Sequence, residues 1–143
     1  MLKGQSKPMM LIPDTNLLVR LLTQDDPAQF EWAKAVFARE SILIPTTIVL
    51  ETEWVLRYAY KFDKLAIFTA FNMLFGLPNV TLSEPNRVRQ AMEWSQAGLD
   101  FADSLHLAAV EQGQQFSTFD EKLLAKAKTV TNVWVSSPMD GIS

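Results

Sequence analysis

Cysteine is missing from this 143-residue chain, and histidine occurs once, as His106. The first absence excludes disulfides and thiolate metal sites. The second excludes a histidine-built zinc centre, so any metal here must be held by oxygen. No apolar run is long enough for a secretory signal or a membrane span, which points to a cytoplasmic protein without membrane attachment. Basic charge is scarce as well: 13 Lys and Arg stand against 16 Asp and Glu, for a formal net charge of −3. Such a chain lacks the basic footprint usual for nucleic-acid binding, so a role of that kind has to rest on bound cations and local lysines.

What is present is an ordinary globular composition, 48% hydrophobic and 20% charged, at a length suited to one domain. Residues 1–8, with Gly4, Ser6, Pro8 and two lysines, read as a loose leader, and residues 9–143 as a single domain. Met9-Met10-Leu11-Ile12 is a short apolar strand stopped by Pro13, and Asp14-Thr15-Asn16 supplies cap chemistry for a helix over 17–22. A helix with Pro27 in its first turn carries Phe30, Ala33 and Phe37 and ends near Glu40. Ser41 to Pro45 repeats the strand pattern, and Thr46-Thr47 is predicted to cap a helix reaching about Tyr60.

Residues 65–75 carry Ile67, Phe68, Phe71, Leu74 and Phe75 at helical spacing before Gly76. A strand over 80–82 leads to a helix capped by Ser83 and running from Glu84 to about Ala97. A further helix is expected over 101–112, ending at Gly113. A strand over 116–118 then leads through Asp120 into a helix that passes Lys126, and a last strand falls at 133–135. Strands interleaved with helices predict an α/β fold with a mostly parallel sheet covered on both faces.

In such a sheet, ligands gather beyond the carboxyl ends of the strands. Asp14 and Asp120 directly follow strands there, Glu51 lies early in the helix after the second strand, and Asp103 near the start of a later helix. Carboxylates gathered in a partly dehydrated cleft repel one another unless a cation neutralises them, and oxygen ligands favour Mg²⁺ or Mn²⁺. Phosphodiester hydrolysis suits such a site. Glu51 sits among Ile48, Val49, Leu50, Trp54 and Val55, so it is expected to need a partner. Glu53 points about 160 to 200 degrees away around the helix and reads as the solvent residue. Asp100 serves either as a further ligand or as a helix cap.

The segments Ile12-Pro13-Asp14-Thr15-Asn16, Leu50-Glu51-Thr52-Glu53-Trp54-Val55-Leu56, Asp100-Phe101-Ala102-Asp103-Ser104-Leu105-His106 and Ser117-Thr118-Phe119-Asp120 resemble the PIN-domain family, and within it the VapC-type toxins. The similarity spans residues 10–135. It implies a three-layer α/β/α sandwich with four to five short strands and a Mg²⁺- or Mn²⁺-dependent endoribonuclease. It also implies a homodimer restrained by an antitoxin protein. Asp14, Glu51 and Asp103 would be the chief metal-binding carboxylates, Asp120 a fourth acid, and Asp100 a supporting one. Asn16 would make a polar contact beside Asp14.

Arg20, Arg57, Lys61, Lys64, Lys122, Lys126 and Lys128 are available for RNA phosphates. Lys122 and Lys126, sharing a helix face after Asp120, are the better placed, with Thr118 beside them. His106 reads as structural or solvent-facing. The aromatic stretch 68–75, with Phe30, Trp32 and Trp54, suits core packing, a dimer face or an antitoxin groove. Two other functions fit parts of the pattern. One is a phosphatase using Asp14 as nucleophile, against which Asn16 stands where a second aspartate would be wanted. The other is a PIN-like scaffold without catalysis.

Overall fold

The structure, a computed structural model, describes residues 10–140. The leader expected at 1–8 and Met9 of the first strand lie outside them. The described chain forms two compact units that divide between Glu84 and Pro85.

In the first unit, Leu11 makes a single parallel bridge to Ile42, where a full strand was expected. Leu11 accepts from Leu43 N–H and donates to the Ser41 carbonyl, but Pro13 has no N–H with which to extend the ladder. Strand β1 (Ile42–Ile44) pairs in parallel with β2 (Val80–Leu82), Ile42 opposite Val80 and Ile44 opposite Leu82. Pro45 ends β1 in the same way.

Four helices surround this pair: α1 (Thr15–Thr23), α2 (Pro27–Arg39), α3 (Thr46–Tyr58) and α4 (Lys64–Phe75). Asp14, Asp26 and Asp63 cap α1, α2 and α4. Helix α3 is the exception. The expected Thr46-Thr47 cap is replaced by Pro45, which makes no side-chain bond, and Thr46 lies inside the helix donating to Glu84 Oε1 at 2.6 Å. Leu18, Phe37, Ile42, Ile44, Val49, Leu56, Phe68 and Phe71 form the buried centre. The aromatic stretch of α4 is therefore largely core, while Trp32 and Trp54 are exposed.

The second unit contains α5 (Pro85–Gln96), α6 (Phe101–Ala108), β3 (Phe116–Ser117), α7 (Glu121–Val130) and β4 (Val135–Ser136), with β3 and β4 parallel. Trp94, Leu99, Leu107, Leu123, Ala127 and Val135 pack together as its core. Helix α5 begins at Pro85, one residue later than expected, so Ser83 is not its cap. Helix α6 stops at Ala108, well before Gly113, because the chain tightens into a turn in which Glu111 N–H donates to the Gln114 side chain at 2.7 Å. Strand β4 starts two residues later than predicted, since Val133 N–H is spent on Thr131 Oγ1. Every strand pair among the described residues is parallel, as the α/β reading requires.

Gly98 joins α5 to α6 with φ of +119°, and a Cβ there would stand 3.2 Å from Lys126 Nζ. The lysine tip can give way, but the backbone conformation disfavours any side chain. Gly98→Ala is expected to cost about 1–2 kcal/mol, seen as a lower urea midpoint at unchanged slope.

Candidate active site

In the first unit, Asp14 stands where the chain leaves the Leu11 bridge and enters α1. Its Oδ1 accepts from Leu17 N–H at 2.9 Å, the bond of a helix cap. One carboxylate oxygen is thereby held at the start of α1. The next residue, Thr15, donates its hydroxyl to Glu51 Oε1 at 2.8 Å, which ties the acid of α3 to the start of α1. Thr15 is thus a positioning residue that the sequence presented only as cap chemistry.

The expected burial of the two α3 glutamates is reversed. Glu51 is exposed, and Glu53 is 4% exposed. Val49, Thr52, Glu53 and Leu56 are the buried positions of this helix, a spacing that forms one inward stripe. Glu53 tolerates burial because Arg57, one turn on, donates to both of its oxygens at 2.7 and 3.1 Å. Arg57 is consequently spent on structure.

Arg20 is spent as well. It donates to Gln29 Oε1 at 2.6 Å, to Asp25 at 3.1 Å and to Tyr60 Oη at 3.0 Å, while Tyr60 donates in turn to Asp25 at 2.7 Å. The Tyr60 bond, ahead of the Asp25 charge, raises the Arg20 pKa, and the Tyr60 and Thr23 hydroxyls lower that of Asp25. Neither arginine is the free phosphate clamp that composition suggested.

In the second unit, Asp100 and Asp120 are also helix caps. Asp100 Oδ2 accepts from Asp103 N–H at 3.3 Å, and Asp120 Oδ1 from Leu123 N–H at 3.0 Å. Thr118 Oγ1 accepts from Asp120 N–H at 3.0 Å, so it positions Asp120. Asp103, in the first turn of α6, is half-buried. Burial first, and then the negative charges of Asp100 and Asp120, push its carboxyl above the ordinary range, with His106 pulling the other way. The structure therefore brings Asp100, Asp103 and Asp120 into electrostatic contact. Lys126 Nζ donates to the Gly98 carbonyl at 3.4 Å, next to this group, and Lys122 is exposed on α7.

Among the described residues, no group of three Asp, Glu or His side chains is placed to hold a metal ion. The donor chemistry nevertheless fits a hard divalent cation. Every candidate ligand is a carboxylate, and the repulsion that raises Asp103 is of the kind that a bound cation reverses.

The family model described as PIN domain matches residues 11–129, across both units. The chain belongs to the PIN domain family. Members of this family are generally nucleases and typically use divalent metal ions. The α/β arrangement with short parallel strands is that of a PIN domain, as the sequence motifs implied. No curated protein matches the chain. Among solved structures, VapBC2 from Rickettsia felis, bound to a DNA fragment from their promoter, is similar over 90% of this chain and 98% of that one. The identity is 13% and the TM-score 0.38, a likeness too slight to carry functional argument. No helix among the described residues is long and apolar enough to cross a membrane.

Proposed function

We propose that this PIN domain is a Mg²⁺- or Mn²⁺-dependent endoribonuclease in which residues 9–143 act as one catalytic domain. The observation that carries the reading is the like-charge group at the starts of α6 and α7. Asp103 is half-buried with the charges of Asp100 and Asp120 near enough to raise its pKa, a repulsion that costs stability and that a bound cation would relieve. Asp14, Glu51, Asp103 and Asp120 would hold the metal, with Asp100 in support. The four acids are taken as one set on the motif resemblance, and all four positions fall within the family match. When bound, the metal lowers the pKa of a water and shields phosphate charge.

The chain's own residues do the rest. The caps fix the carboxylates of Asp14, Asp100 and Asp120 before substrate arrives, Thr15 steadies Glu51, and Thr118 steadies Asp120. Lys122 and Lys126 supply positive charge for the RNA backbone, and Asn16 a polar contact. The motif resemblance further supports a cytoplasmic toxin, homodimeric and paired with an antitoxin protein.

The test is cleavage of a mixed RNA pool by purified, antitoxin-free protein in Mg²⁺ or Mn²⁺, beside an Asp14→Asn, Asp103→Asn double variant. Asparagine preserves the cap at position 14, so lost activity will not reflect a lost helix. Metal-dependent cleavage that the double variant lacks is the expected result. Equal cleavage by the variant, or none by the wild type in either metal, would replace this reading with a non-catalytic scaffold.

A further inference from the structure

Beside Asp14, a pocket of about 350 Å³ opens between α1 and α2, lined by Asp14, Asn16, Leu17, Arg20, Gln29 and Trp32. Its outer wall is the Trp32 ring, 72% exposed. A single exposed tryptophan needs no explanation in itself. One that walls a largely apolar pocket, floored by Leu17 and edged by two carboxamides, a planar cation and a candidate catalytic carboxylate, does.

We propose that this pocket binds one RNA base next to the phosphate being cut, stacked on Trp32 and hydrogen-bonded at its edge by Gln29 and Asn16. The inference rests on the nuclease reading given above.

Charge and hydrogen-bond polarity decide for a base. Arg20 is compensated by Asp25, and Asp14 brings only negative charge or is given over to a metal ion, so the pocket lining has no spare positive charge with which to hold a phosphate. A neutral, flat group is suited to it, and every base has a π-face that stacks on an aromatic ring. Gln29 has its carboxamide oxygen committed to Arg20 at 2.6 Å, and so presents N–H to a ligand. Base edges carry carbonyl and ring-nitrogen acceptors that pair with such a donor. An arginine or lysine from a protein partner could stack on Trp32 but has no acceptor to offer Gln29. The hydrogen bonds that hold Arg20 to Gln29, Asp25 and Tyr60 also fix the pocket wall before any ligand enters.

The experiment compares wild type, Trp32→Ala and Trp32→Phe, using a labelled oligoribonucleotide that spans a cleavage site and versions of it made abasic at each position flanking the cut. Binding is read by fluorescence anisotropy in Ca²⁺, and cleavage as kcat/KM in Mg²⁺ or Mn²⁺. Because the ring is exposed, both variants should melt like the wild type.

Trp32→Ala is expected to weaken binding and kcat/KM about tenfold, chiefly through KM, with Phe restoring most of the loss. One abasic position should cost the wild type a similar factor and cost Trp32→Ala nothing more, as required of two changes that remove the same contact. Unchanged RNA affinity in Trp32→Ala, or an abasic penalty that persists undiminished in it, would overturn the proposal while leaving cleavage intact. Loss of antitoxin capture by Trp32→Ala without loss of RNA affinity would assign the pocket to a protein partner and also overturn it. Should the wild type cleave nothing, the nuclease reading fails, and anisotropy with a single-stranded oligoribonucleotide of mixed sequence still decides the pocket: weaker binding by Trp32→Ala, restored by Phe, would support a stacked base, and equal binding would overturn it.

Discussion

Asp103→Asn will lower RNA cleavage by about 100-fold or more and, in metal-free buffer at pH 7, will melt at a higher temperature than the wild type. Both effects have one cause. In the fold the Asp103 carboxyl is raised above its ordinary range by burial and by Asp100 and Asp120. The native state therefore holds the proton more tightly than the unfolded chain does. The stability this adds is fully present below the unfolded-state pKa and is lost as pH rises through the higher folded-state value. Above that value the group is ionised in both states, and the cost of its buried charge falls on the native one. Asparagine carries no such cost, so its advantage should shrink on acidification and vanish below about pH 4. Excess Mn²⁺ should reverse the order, because an ion that binds only the native wild type raises its Tm by mass action. Equal melting of the two proteins at pH 7, with and without Mn²⁺, would remove Asp103 from the proposed metal site.

The second large contrast is between two glutamates on one helix. Glu51→Gln should cost about 100-fold or more in cleavage, while its stability stays within about 0.5 kcal/mol of wild type, as for most exposed substitutions. Glu53→Ala should instead lower stability by about 2–3 kcal/mol, because two charge-assisted bonds disappear from a buried position. The loss belongs at the lower end of the range for buried pairs, since the Arg57 side chain is 32% exposed and can turn to water. Cleavage per folded molecule should survive in Glu53→Ala. Denaturant unfolding beside single-turnover cleavage separates the two, and the reverse pattern would exchange the roles of these acids.

These glutamates also show what could be read from the sequence and what could not. The apolar neighbours of Glu51 suggested burial, but burial on a helix follows phase rather than neighbourhood. Val49, Thr52 and Leu56 set that phase, and Glu53 lies within it. The signal was present as Arg57, one turn beyond Glu53, at the spacing of a helical ion pair. Pro27, Pro45 and Gly98 made the element ends beside them legible, because a missing N–H or a required positive φ acts locally. The failures came where a side chain took a backbone donor, as Gln114 did at the end of α6 and Thr131 before β4. The pocket at Trp32 was out of reach for another reason. It exists only because α2 packs against α1, and no local pattern places that ring beside Asp14.

Three of the acids assigned to chemistry, Asp14, Asp100 and Asp120, also hold helix ends. Folding alone would retain Asp, Asn, Ser or Thr at these positions, since all four side chains cap well. A descendant that has lost its nuclease role should therefore drift first to the uncharged members of that set, with alanine or leucine rare. The exposed Glu51 forms no cap, and only its bond from the Thr15 hydroxyl constrains it once cleavage no longer matters. A close homologue with Asn or Ser at 14, 100 or 120 and an arbitrary residue at 51 would be a well-folded protein with a silent active site. On the proposed function, retention of aspartate rather than asparagine at the caps, together with Glu51, would be the sequence mark that separates active members of this lineage from inert ones.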